Sequence, residues 1–199
     1  MSFITEPINE YIIFEGVKFP VFASFDVVLD IQHLYKEKDL SEYDKLHTAL
    51  SMFSGNSRKF EQLSFEQQSK LMDQIYEEQV TTKPRPRVGK QIRVVDFDQD
   101  SEYIYASFLQ DYGIDLIESQ GKLHWKKFIA LFQGLSEKTK IKQIMQIRSR
   151  DIPAPTKYNQ EEIKNLTELK AYYALDYKEC NAKDGFSLLF DTLERMVIQ

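Results

Sequence analysis

Apolar residues that return every three to four positions constrain this chain more than any other feature. From Ser24, an N-cap candidate, Val27, Val28, Ile31, Leu34 and Tyr35 follow the spacing of one buried helical face. The same period recurs in Tyr43, Leu46, Leu50 and Phe53, and again in Met72, Ile75 and Tyr76. It returns in Ile104, Phe108, Leu109 and Tyr112 before Gly113, then in Leu123, Trp125, Phe128, Ile129, Leu131 and Phe132 before Gly134. Ile141, Ile144 and Met145 mark a further helix before Pro153. Ile163, Leu166, Leu169, Tyr173 and Tyr177 mark a longer amphipathic one, and Phe186, Leu189, Phe190, Leu193 and Val197 a last. The fold class is therefore mainly α, a multi-helix bundle.

Only the beginning breaks the pattern. Glu10–Phe14 and Val17–Phe22 are rich in branched and aromatic residues and flank Glu15-Gly16, where glycine supplies positive φ, so a β-hairpin is expected. Pro20 cannot donate a ladder hydrogen bond, which puts the second strand at an edge or near its end. Ser41 with Asp44, and Ser64 with Gln67, have capping-box spacing. Lys83-Pro-Arg-Pro-Arg87 cannot be helical and reads as a basic, extended connector. These signals divide the chain into a hairpin with helices over 1–80, a linker over 81–95, a helical unit over 96–153 and C-terminal helices over 154–199, two subdomains joined by a Pro/Arg linker.

The polar residues do not converge on chemistry. No apolar run reaches the ~18 residues of a membrane span, and the N-terminus lacks the pattern of a secretory signal. Cys180 is the only cysteine, which excludes an internal disulfide and a thiolate metal site and fits a cytoplasmic protein. His33, His47 and His124 lie on different predicted helices, with no i, i+4 pair to share a metal. Asp96-Phe-Asp-Gln-Asp-Ser-Glu102 begins like a calcium loop, but Ser101 and Ser107 stand where glycine and the bidentate acid are needed. It reads instead as acids at the positive end of the following helix. With no phosphate loop or nucleophile elbow, the expectation is no enzyme, no cofactor and no metal.

Interaction is the remaining class. Trp125 is framed by Lys126 and Lys127, and the aromatic and aliphatic residues Tyr112, Trp125, Phe128, Phe132 and Ile144 are the candidate partner-binding set. Lys138, Lys140, Lys142, Arg148 and Arg150, with no acid from Lys138 to Arg150, form a candidate basic patch. Together with Lys83–Arg93 they offer the alternative of a nucleic-acid-binding or regulatory protein. The net charge of −5 disfavours such binding by the surface as a whole.

Motif order sharpens this reading. The run Asp96–Leu116 with its acids and Tyr112-Gly113, then Leu123-His-Trp125, Leu131-Phe-Gln-Gly-Leu135 and the basic Thr139–Ile144, resembles small tail proteins of siphophages and of prophages of Gram-positive hosts. Those proteins are usually encoded between the tail tube and tape measure proteins. The likeness is closest over Asp96–Pro153, and the N-terminal hairpin and helix extend it. The chain departs from the pattern at Lys126 and Ile147, where aromatic residues are common. The resemblance implies a noncatalytic tail assembly chaperone in the host cytoplasm, with the tape measure protein as partner and the tail tube protein as a further candidate. It leaves a structural place in the tail as an alternative. Exposed apolar grooves would serve self-association equally well.

Overall fold

The computed structural model describes residues 4, 7–55, 57–81 and 93–176. The chain divides into two compact units, one of Met1–Lys83 with Ser119–Phe128 and one of Pro84–Glu118 with Ile129–Gln199. The linker residues 82–92, Cys180 and the helix expected at 186–197 lie outside the described residues.

The first unit opens with an antiparallel hairpin, β1 (Tyr11–Phe14) and β2 (Val17–Pro20), with Phe14 opposite Val17 and Ile12 opposite Phe19. Glu15 and Gly16 both have positive φ, the twist that a two-residue hairpin loop requires. Alternation then buries Ile12 and Phe14 and turns Ile13 outward. Pro20 ends β2, as its missing N–H demands.

Helix α1 (Phe25–Lys36) buries Val28, Ile31 and Tyr35, whereas Val27 and Leu34 are half-buried. Ser24 stands at its N-cap position but its hydroxyl makes no capping bond; its backbone instead forms a bridge with His124. Helix α2 (Glu42–Ser54) starts at Ser41, whose hydroxyl accepts from Asp44 N–H, and stops at Gly55 with φ of 58°. Leu46, Leu50 and Phe53 of its expected stripe are buried. Tyr43 is not. A 3₁₀ turn (Lys59–Gln62) leads to α3 (Phe65–Ile75), whose reciprocal Ser64–Gln67 capping box forms as the spacing predicts. A π turn (Tyr76–Val80) continues α3.

Ser119–Phe128 completes this unit from far along the chain. Phe25 N–H donates to Leu123 O at 3.0 Å, Trp125 N–H to Ala23 O at 2.8 Å, and Gly121 N–H to Asp26 Oδ1 at 3.0 Å. Phe128 stacks on Phe25 at 5.0 Å between centroids. These bonds satisfy backbone groups that the end of the hairpin and the start of α1 would otherwise leave open. The segment lies inside the unit expected at 96–153, yet it is counted with the first.

The second unit contains α4 (Ser101–Tyr112), the later turns of α5 (Trp125–Gly134), α6 (Lys140–Ser149) and α7 (Gln160–Tyr172). Gly113 closes α4 in the left-handed conformation expected of it, at φ of 65°. Helices α4 and α6 pack together, α4 burying Ile104 and Phe108 and α6 burying Ile141 and Ile144, and Ser107 Oγ accepts from Ile141 N–H at the start of α6. Helix α7 is different: only Leu166 on it is buried.

Candidate interaction surface

The residues expected to meet a partner turn out mostly to hold the chain together. Trp125, Phe128, Phe132 and Ile144 are fully buried. In the first unit Trp125 stacks on Phe128 at 5.6 Å. In the second, Phe132 meets Phe97 at 5.5 Å. Tyr112 is half-buried and donates its hydroxyl to Leu131 O at 2.9 Å. Burial pushes its phenol pKa upward, and the carboxylate of Asp111 adds to the effect. Apolar spacing marks a buried face without saying whether the cover is another part of the same chain or a second protein, and here the chain covers itself.

The basic patch is dismantled in the same way. Arg148 places Nη1 at 2.6 Å from Asp100 Oδ2 and Nη2 at 2.8 Å from Oδ1, with side chains only 7% and 1% exposed. It also donates Nε–H to Tyr173 O and Nη1–H to Val94 O. Lys142 is buried, donates to Gln133 O, and lies over the Phe132 ring. Arg150 pairs with Glu162, and Lys140 lies 5.0 Å from the centroid of Tyr173. Lys138 stays exposed. A phosphate backbone would therefore not meet one row of five cations on this helix.

Two acids of the acidic run, Asp96 and Asp100, are likewise tied internally, while Asp98 and Glu102 are exposed. Asp96 Oδ1 accepts from the N–H groups of Asp98 and Gln99, while its Oδ2 receives Arg93 at 2.6 Å. Asp100 occupies the N-cap position of α4 but turns its carboxylate to Arg148 and to Asp96 N–H. Among the described residues no group of three or more His, Cys, Asp or Glu is placed to hold a metal, and no helix is long and apolar enough to cross a membrane.

The structure brings forward residues that periodicity had hidden. Tyr43 and Phe65 are each 52% exposed, and their rings lie 6.1 Å apart at 32°. His47, one turn after Tyr43, stacks on it at 6.0 Å and meets buried Phe60 edge-on at 5.2 Å. Exposed aromatic rings are thus anchored to the core through one buried ring. Tyr43 and Phe65 occupy the first turns of α2 and α3, at helix ends. Their flanking acids, Glu42, Asp44 and Glu66, were the available sequence signal. A second apolar face lies on α7, where Leu169 and Tyr172 are exposed; Tyr172 meets Tyr173 edge-on at 4.8 Å.

His124 was also missed. Standing just before α5, it accepts the Lys126 N–H on Nδ1 at 3.1 Å, the bond an N-cap side chain makes. Burial, with Lys126 and Lys127 alongside, pushes its pKa down to about 4. Lys126 itself reaches back to Glu78 O at 2.5 Å, at the end of the π turn.

Comparison with known proteins gives one family. The family model described as "Bacteriophage Gp15 protein" matches residues 6–175, spanning the hairpin, both units and α7. No curated protein and no solved structure matches the chain.

Proposed function

Because the chain belongs to the bacteriophage Gp15 protein family, we propose that it is a noncatalytic tail assembly chaperone that binds amphipathic helices of the tape measure protein in the host cytoplasm. The observation that supports this reading best is the exposed aromatic cluster of Tyr43, His47 and Phe65. Large rings cost little conformational entropy when they dock, and a helical partner can lay its apolar stripe across them. The chaperone would cover apolar helices until tail tube subunits replace it, so the contact has to be reversible. A modest surface patch suits that need better than an extended apolar interface.

Co-expression with the neighbouring tape measure protein tests the proposal. The expected result is co-purification and greater solubility of the tape measure protein, both reduced by joint Tyr43→Ser and Phe65→Ser replacement. Failure of the unaltered chain to co-purify or to raise solubility would sink it. Recovery of the protein from mature virions in stoichiometric amount would instead make it a permanent tail component.

A further inference from the structure

We infer that helix α7 is exchanged between two copies of this chain, so that the seat formed by α4 and α6 in one copy holds the α7 of the other. The occupant is identified by what already fills the seat. Glu162, Leu166 and Lys170, spaced four apart, share one face of α7. Glu162 pairs with Arg150, Leu166 is buried, and Lys170 Nζ donates to Arg148 O at 2.7 Å. At the end of the helix, Tyr173 O accepts the Arg148 Nε–H, and the Tyr173 ring meets Tyr103 edge-on at 6.2 Å. Just beyond, Gln99 donates to Ala174 O at 2.8 Å and accepts from Asp176 N–H at 2.9 Å. The α7 of a second copy carries the same groups in the same order and can make every one of these contacts. Exchange of an identical element is a low-cost route to a dimer.

Three features favour exchange over a fixed fold-back. The first is that α7 is lightly held. Its 13 residues are few for a helix standing alone, and Leu166 is the one side chain on it that is buried. It therefore opens while α4 and α6 stay packed. The second is the connector, 151–159, in which Ile152 and Ala154 each precede a proline and are held extended. The chain turns at Lys157-Tyr158, and the Asn159 side chain closes that turn: Oδ1 accepts from Thr156 N–H at 2.7 Å and Nδ2 donates to Ala154 O at 3.0 Å. One side chain thus holds the reversal.

The third is what the fold-back leaves uncovered. Ile152 is 50% exposed and Tyr158 93% exposed, both on the connector. Two straightened connectors passing each other about a two-fold axis bring these residues together, a contact that a single chain cannot make. That contact offsets the high effective concentration at which a tethered α7 meets its own seat.

The test uses the full chain. Sedimentation of the unaltered protein should show a monomer–dimer equilibrium. Asn159→Ala removes the tie of the turn but no capping bond to α7, and should tighten the dimer by about tenfold. Ile152→Ser with Tyr158→Ser, both exposed changes, should loosen it. To identify the exchanged element, one chain carries Gln99→Cys and another Ala174→Cys, each with Cys180→Ser. Unfolded and refolded together, they should be joined by a short bismaleimide into a covalent heterodimer, which neither variant can form alone. A chain carrying all three changes should close the same link within itself when dilute.

A protein that stays monomeric at every concentration would overturn the inference. So would a dimer whose mixed variants give no heterodimeric link, because two closed chains would then be lying side by side. An Asn159→Ala chain that dimerises no more tightly would overturn the role given to the connector. None of these results bears on capture of the tape measure protein, which is read separately.

Discussion

Asp100 and Arg148 show how a surface residue in a linear reading becomes an internal tie. Forty-eight positions apart, they form a two-pronged ion pair almost without solvent contact, and Arg148 directs two further N–H groups to backbone carbonyls. Asp100→Ala should destabilise the protein by about 3–5 kcal/mol, because it strands a buried guanidinium, whereas joint replacement by well-packed apolar residues should recover most of that loss. Urea denaturation of the two variants checks this, and a single-variant cost below about 1 kcal/mol would mean that the pair is effectively solvated. His124 carries a second prediction. Its imidazole titrates near 4 when folded and near 6.5 when unfolded, so between those values the unfolded chain takes up a proton that the native chain refuses. Stability should be level above pH ~6.5 and fall as the pH drops toward 4, by roughly 1–2 kcal/mol given the ring's partial solvent contact. His124→Asn keeps a capping oxygen and should flatten that portion of a stability–pH curve. Neither role was visible in the chain: the ion pair depends on distant residues meeting, and histidine is a rare cap.

Helices with strong periodicity were legible, and so were their punctuation marks. The Glu15-Gly16 turn, the Ser64–Gln67 box and the Gly113 cap all depend on bonds within a few residues, which is why spacing announces them. Exposure was less legible. Tyr43 obeys the stripe of α2 but sits in its first turn, and α7 keeps a helical pattern while burying only Leu166. Helix α7 is held chiefly by polar ties: Arg150 to Glu162, Lys170 to Arg148 O, and Tyr173 O to Arg148. Such contacts are weaker than apolar burial. Hydrogen exchange should therefore protect the amides of α3 and α4 more than those of α7, by about tenfold or more. Equal protection would show that α7 unfolds only with the rest.

The division of the chain into units does not follow its linear order. A reading from composition places cuts at linkers, but hydrogen bonds that Phe25 donates to Leu123 and that Ala23 and Asp26 accept from Trp125 and Gly121 bring a later segment into the first unit. A fragment ending at Glu118 lacks Trp125 and Phe128 and should be aggregation-prone, while one extended to Gly134 should regain a cooperative thermal transition in its N-terminal unit. Equal melting of the two fragments would contradict this. The same arrangement sets a clock during synthesis. After Lys83 has been added, the ribosome must add about forty-five more residues before Phe128 exists, a wait of roughly 2–9 s at ordinary elongation rates. Throughout that interval Phe25 awaits its stacking partner, so the nascent first unit waits with part of its own core uncovered until the later segment is made.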